Sequence, residues 1–317
     1  MAILVIGGKG FIGARVIRAL VERGEDVVCF DLKDTPGRLG DLAGKIKMVA
    51  GDVSNFEDVY RAMSENKIDR IAHLVFFMAE ERGVSARPQD ADGLYKQQMI
   101  MNTGTFHVFE AAKQLGIHRM VFASSIQYHV GDEPWTEPEP VTEASPPRPT
   151  SSYGIGKFLC EHLAGEYNAQ TGMEIISIRI PGVYGPGVRI GARGVNLIAT
   201  EAALGEVVQL PYRSEQHIVL AHVDDIAQSV LTLLFAEHMP SQVYHIGGHY
   251  VSYGQLAELG RQITPGAQIA CSEEADLRGQ VRIDCSLAEK ELGLRHRSLL
   301  DGYGALAQET RDAATSR

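Results

Sequence analysis

Tyr153 and Lys157 stand four residues apart in the stretch TSSYGIGKFL, one turn of a helix, which places a phenol and an ammonium on one helix face. A free phenol ionises near pH 10, about three units too high for a base at neutral pH. An ammonium one turn away favours the phenolate and is expected to bring Tyr153 toward working range. Between them lie Gly154 and Gly156, each costing about 1 kcal/mol against alanine inside a helix, so something must approach that backbone closely.

A second group of chemical residues opens the chain. VIGGKGFIG sets Gly7, Gly10 and Gly13 between an apolar run at residues 2–6 and an amphipathic run at 11–23. Glycines there allow a tight turn and close backbone approach, and the free N–H groups of the following helix face a pyrophosphate. Asp31 ends the second apolar run 18 residues after Gly13, where an acid accepts hydrogen bonds from an adenosine ribose. NAD is therefore expected rather than NADP, whose 2'-phosphate would meet a carboxylate. Lys9 and Arg38 are the residues that could pair with such a phosphate instead. Asp52, in AGDV, is placed either to cap an adenine amino group or to begin a helix.

Elements of the right period must position these groups. The patterning predicts strands at 2–6, 26–31, 46–50, 70–76, 118–124 and 173–179, alternating with helices at 11–23, 55–65, 92–115 and 151–171. Buried strands alternating with helices imply an α/β protein with a parallel sheet covered on both faces. After Pro181 the rhythm breaks into the Gly-rich PGVYGPGVRIGARG, then a helix, a strand near 216–222 and a helix after HVDD. The acidic, Pro-rich loop 131–150 is too long for a passive connection, and is expected either as a solvated loop or as a wall or lid over a substrate.

Composition excludes several classes. A net charge of -10 argues against nucleic acid, and no run is long enough for a membrane span, so a small-molecule substrate is expected. The apolar start lacks a basic leader and is not read as a signal peptide. Cys29, Cys160, Cys271 and Cys285 form no C-x-x-C pair and read as reduced thiols of a cytoplasmic protein. The 11 histidines show no ligand spacing, and no metal is predicted.

Taken in order, GGKGFIG, GDV at 51–53, HL at 73–74, NTGT at 102–105, VFASS at 121–125, YGIGK at 153–157, RIPGVYGPG at 179–187 and HVDDIA at 222–227 resemble the extended short-chain dehydrogenase/reductases, the NAD-dependent epimerase/dehydratase group. The resemblance implies a Rossmann fold, a doubly wound parallel sheet with a smaller mixed C-terminal substrate lobe. Residues 1–180, with a returning segment at about 214–247, would form the dinucleotide domain; 181–213 and 248–317 would form the lobe. It implies that Tyr153 exchanges a proton with a substrate oxygen, that Ser125 hydrogen-bonds the same oxygen with Ser124 as competitor, and that Lys157 holds the nicotinamide ribose. Phe11, Ile12 and Val53 join the cofactor contacts, and Pro181 lies against the nicotinamide. Gly154 and Gly156 would face that ribose and the sheet, with Gly156 standing where the family more often has serine. Asn102 either holds a proton-relaying water or is a buried structural amide. A homodimer through the helices near 92–115 and 151–171 is implied as well.

Departures narrow the substrate. Ile126 and Gln127 replace the Asp-Glu pair of the 4,6-dehydratases, which disfavours dehydration. Val75 and Phe76 read as core packing, while Phe77 and Met78 are placed to narrow the pocket. Ile218 stands where nucleotide-sugar relatives carry an arginine for the diphosphate, although Arg189, Arg193 or Arg213 could substitute, and Pro181-Gly182 replaces a common asparagine. The reading is an NAD-dependent oxidoreductase acting at a secondary alcohol or ketone of a small sugar, sugar acid or hydroxyketone. The alternatives are an epimerase with a transient keto intermediate and a silent cofactor-binding regulator.

Overall fold

The structure is a computed structural model and describes residues 1–32, 37–77, 91–131, 140–188, 194–275 and 281–315. Its large sheet comprises β1 (Ala2–Ile6), β2 (Val27–Asp31), β3 (Lys47–Ala50), β4 (Ile68–His73), β5 (Arg119–Ser125), β6 (Glu174–Ile180) and β10 (Val243–His245). The order is β10-β6-β5-β4-β1-β2-β3 and every pairing is parallel. Successive strands are added outward in one direction from β1 to β3 and in the other from β4 to β10, and this switch between β1 and β4 opens a crevice at the carboxyl ends of the strands, the usual ligand position in such sheets.

Two apolar layers cover this sheet. On one face α1 (Phe11–Glu22) and α6 (Val223–Phe235) bury Ile17, Leu20, Ile226 and Leu233 against the strands. On the other, α2 (Phe56–Ser64), α4 (Gly104–Gln114) and α5 (Ser152–Thr171) bury Val59, Phe109, Cys160 and Ala164. Each fully buried large apolar side chain stabilises by about 1.5–3 kcal/mol, which fixes the strand ends that carry the chemistry.

The long helix expected at 92–115 forms as α3 (Ala91–Gln98), a π turn at Met99–Thr103, and α4. Beyond β6 the Gly-rich passage yields β7 (Gly182–Tyr184) and short 3-10 turns at Val195–Ile198 and Ala202–Leu204, not the expected helix. The segment has a glycine at positive φ at 185, 187, 194 and 205, too many interruptions for a continuous helix. β8 (Val208–Leu210) pairs with β12 (Ile269–Cys271). β9 (His217–His222) joins β7 and β11 (His249–Ser252) in a three-stranded sheet, while α6 and β10 return to the large sheet. The small sheet, α7 (Tyr253–Ile263) and α9 (Leu299–Thr315) close a third core around Tyr184, Leu220, Leu256 and Tyr303. α8 (Ser286–Leu292) packs Ala288 back against the first core. Among the described residues no helix is long and apolar enough to cross a membrane.

Candidate active site

A cavity of about 580 Å³ opens at the carboxyl ends of β1, β2, β4, β5 and β6. Its wall contains Gly7, Gly10, Phe11, Ile12, Asp31, Asp52, Val53, Ser125, Tyr153, Lys157 and Pro181, so residues nominated from distant stretches meet in one space. Gly13 lies outside the wall. A Cβ there would fall on the carbonyl oxygen of Gly7, so its smallness lets α1 sit against the turn. Gly7 itself has φ +78°, which a side chain rarely adopts. Gly8, which the spacing did not single out, is equally confined: a Cβ would stand 2.6 Å from Cys29 Sγ.

The turn fits a dinucleotide. No side chain caps the start of α1, so its first amides remain available to an anion at the positive end of the helix dipole. Asp31 is held at the end of β2 by two backbone donors, Lys9 N and Leu32 N, each at 2.9 Å. Lys9 Nζ lies 4.0 Å from the Asp31 carboxylate, which places its charge beside the acid expected to take the ribose. Arg38 also lines the cavity. Asp52 Oδ1 accepts from Ser54 N and Oγ at 2.8 and 2.7 Å, and Asn55 caps α2. Asp52 therefore begins the turn into that helix while its residue lines the cavity.

The other half of the cavity carries the acid–base group. Ser151 caps α5 by accepting from Gly154 N at 3.0 Å, and this sets the first turn that presents Tyr153. Burial pushes the Tyr153 phenol up to about 12, only partly offset by the Ser125 hydroxyl, which favours the ionised form. The expected lowering by Lys157 is thus not found, because its Nζ lies 5.8 Å from the centre of the Tyr153 ring and burial dominates. Lys157 donates to Ala123 O at 2.6 Å and burial pulls its own pKa down to about 8.

The two serines separate cleanly. Ser124 Oγ donates to Glu161 Oε2 at 2.8 Å, whereas Ser125, whose Oγ accepts from Gln127 N at 3.2 Å, lines the cavity with Tyr153. Glu161, four residues beyond Lys157, pairs with Arg179 of β6 in an almost fully buried ion pair. Arg179 Nη1 further donates to His129 Nε2 at 2.8 Å and to Glu143 O at 3.0 Å. Burial, with the guanidinium adding to it, depresses His129 to about 3 and His245 to about 4, so both imidazoles stay neutral. None of this cluster was anticipated; the spacing of Glu161 from Lys157 was its one visible sign.

Both helix glycines answer to other neighbours than expected. A Cβ on Gly156 would lie 2.5 Å from Asn102 Oδ1, and one on Gly154 2.7 Å from Gln127 O. Asn102, in the π turn, is buried, donates to Gln98 Oε1 at the end of α3, and is absent from the cavity wall. That is the structural amide of the two expected roles. Phe76 is not core: it is 47% exposed, lines the cavity and stands edge-on to Tyr153 with ring centroids 5.5 Å apart. Its strand ends at His73, so residues 74–77 leave the sheet and release the ring. Phe77 also lines the cavity, while Met78 lies outside the described residues, as do Arg189 and Arg193. Of the loop 131–150, residues 132–139 lie outside them too. Its distal end is tied down by Val141, which donates to Arg282 O and accepts from Asp284 N, both at 2.8 Å.

The sequence matches the NAD dependent epimerase/dehydratase family over residues 3–247. The chain belongs to that family. It is 29% identical over 185 residues to UDP-glucose 4-epimerase of Lacticaseibacillus casei, covering 58% of this chain and 52% of that protein. It is 28% identical over 254 residues to the 3-beta-hydroxysteroid dehydrogenase of Mycolicibacterium neoaurum, covering 77% and 64%. The chain thus spans about half to two thirds of the length of these curated relatives. A solved structure of MoeE5 in complex with UDP-glucose and NAD superposes with a TM-score of 0.79 at 26% identity, covering 99% of this chain and 100% of that one. The cofactor named by the family, NAD, is the one that the glycine turn and Asp31 fit.

Proposed function

We propose that this epimerase/dehydratase family member is an NAD-dependent oxidoreductase acting at a secondary alcohol or ketone of a small hydroxylated substrate. The observation that carries the reading is the meeting of Ser125, Tyr153 and Lys157 in one cavity with the glycine turn and Asp31. Gly7, Gly10, Phe11, Ile12, Asp31, Asp52, Val53 and Pro181 hold the cofactor in this reading. NAD, when bound, accepts or returns the hydride at the carbon bearing the reacting oxygen. Tyr153 exchanges the proton at that oxygen, and Ser125 orients it and donates to it. Lys157, anchored on Ala123 O, presents its amine to the ribose and supplies positive charge near the phenol. The substrate enters between the large sheet and the lobe formed by residues 181–213 and 248–317.

A smaller substrate than a nucleotide sugar is supported by Ile218, which packs against the third core and offers no cation. Diphosphates need bidentate cationic partners to leave water. The second reading, an epimerase, rests on the likeness to UDP-sugar epimerases. A homodimer is supported by Leu94, Tyr95, Ile155 and Leu159, apolar side chains exposed on α3 and α5. A reducing, cytoplasmic setting is supported by four free cysteines.

The deciding experiment incubates the protein with NAD and a panel of polyols, sugars, sugar acids and hydroxyketones while NADH absorbance is followed. Net NADH with one product supports the dehydrogenase. Turnover of a substrate to its epimer without net NADH replaces it by the second reading.

A further inference from the structure

The end of the cavity that holds Tyr153 is walled by apolar side chains. Phe76 stands in the segment that leaves β4, Ile126 follows Ser125, Ile100 comes from the π turn and Val183 from β7, and all four line the cavity. Phe76 is the large one, its ring at 72° to that of Tyr153 and 47% exposed. The chain on either side of it is held. Leu74 N donates to Ile6 O at 2.9 Å and Phe77 N to Met101 Sδ at 3.1 Å, which ties this segment to β1 and to the π turn. An aromatic ring kept half in the open beside the reacting phenol sheds its water only when something covers it.

The polar side chains nearby are committed elsewhere. Ser124 donates to Glu161 at 2.8 Å, Lys157 donates to Ala123 O at 2.6 Å, and Gln127 is only 3% exposed. Ser125 and Tyr153 serve the reacting oxygen. A polyol bound here would bring further hydroxyls against Phe76, Ile126 and Ile100, and each would give up hydrogen bonds to water that apolar walls do not replace. A phenyl or branched alkyl group gives up none and gains burial. The reach agrees as well. The Phe76 and Tyr153 ring centroids lie 5.5 Å apart, so a ring carried on the carbon whose oxygen meets the Tyr153 hydroxyl can come within the centroid range of aromatic pairing with Phe76, about 4.5–7 Å.

We propose that Phe76 and Ile126 form the pocket for an apolar substituent on the carbon bearing the reacting oxygen, which makes the substrate an aryl or branched-alkyl secondary alcohol, or its ketone, rather than a polyol. The inference rests on the oxidoreductase reading and narrows its substrate. In the oxidative direction the carbinol C–H bond breaks and its hydride goes to NAD, the O–H proton leaves through Tyr153, and the carbon–oxygen bond becomes a carbonyl.

Initial rates of NADH formation with 1-phenylethanol, 2-propanol and glucitol, and calorimetric titration of the NADH-loaded protein with acetophenone, acetone and fructose, test this in wild type, Phe76→Ala and Phe76→Leu. The aryl alcohol is expected to have the highest kcat/KM and acetophenone to bind most tightly. Phe76→Ala is expected to lower the preference for the aryl over the methyl compound by roughly ten- to a hundredfold, and Phe76→Leu to restore part of it, with NAD affinity retained in both. The proposal is overturned if the aryl probes neither bind nor react, if glucitol or fructose is preferred, or if Phe76→Ala keeps the aryl preference. Loss of NAD affinity with that preference intact would place the ring against the cofactor instead. NADH formed mainly from glucitol would remove this pocket and leave the oxidoreductase assignment standing, whereas Phe76-dependent binding of acetophenone without NADH from any alcohol would sink that assignment alone.

Discussion

Burial holds the Tyr153 phenol near 12, against an ordinary value of 10. A raised folded-state pKa means that this group's contribution to stability is complete below pH 10 and disappears as the pH rises through 12. Difference titration of wild type against Tyr153→Phe should therefore place the tyrosinate step above pH 10, and NAD should move it downward. A step below 10 without cofactor would show that Lys157 governs the phenol after all. In turnover, Tyr153→Phe should cost about 10²–10⁴-fold in kcat with cofactor affinity retained, since only the exchangeable proton is lost. At the other end of the cavity, Asp31→Ala should narrow the preference for NAD over NADP by roughly tenfold or more, because the ribose loses a charged acceptor. Cofactor titrations of both proteins would read the ratio.

At the scale of elements, the packing of α5 on the π turn gives a prediction whose sign discriminates between two causes. Helix propensity alone would make Gly156→Ala more stable by about 1 kcal/mol. The added Cβ would instead meet Asn102 Oδ1 at 2.5 Å, and overpacking of this kind costs about 1–3 kcal/mol. Chemical denaturation should show net destabilisation, largely relieved in the Gly156→Ala, Asn102→Ala pair. Additive effects would mean that the two residues do not meet. The same contact explains the glycine where serine is commoner, since a larger side chain would displace the amide from the π turn.

For the whole molecule, exposed Ile155 and Leu159 lie one turn apart on α5, with Leu94 and Tyr95 on the neighbouring α3. An apolar stripe of this kind on two adjacent helices is suited to a second copy of the chain. Sizing chromatography at micromolar concentration should show a dimer, and Ile155→Asp with Leu159→Asp should give a monomer of unchanged fold by circular dichroism. A monomeric wild type would remove the proposal.

Local chemistry was readable along the chain because it depends only on period and spacing. Gly7, Gly10, Asp31, Tyr153 and Lys157 each occupy an element's end or one helix face, and the alternation of strands and helices put those ends at one edge of a parallel sheet. The distinction between Ser124 and Ser125 was not readable, since adjacent strand residues point to opposite faces and the choice depends on Glu161 and Arg179 arriving from two other elements. Nor were the raised phenol of Tyr153, the exposure of Phe76 or the crowding of Gly156 by Asn102. Each is set by desolvation or close approach between segments far apart in sequence, and those quantities come into existence only when the sheet, the π turn and α5 are packed together.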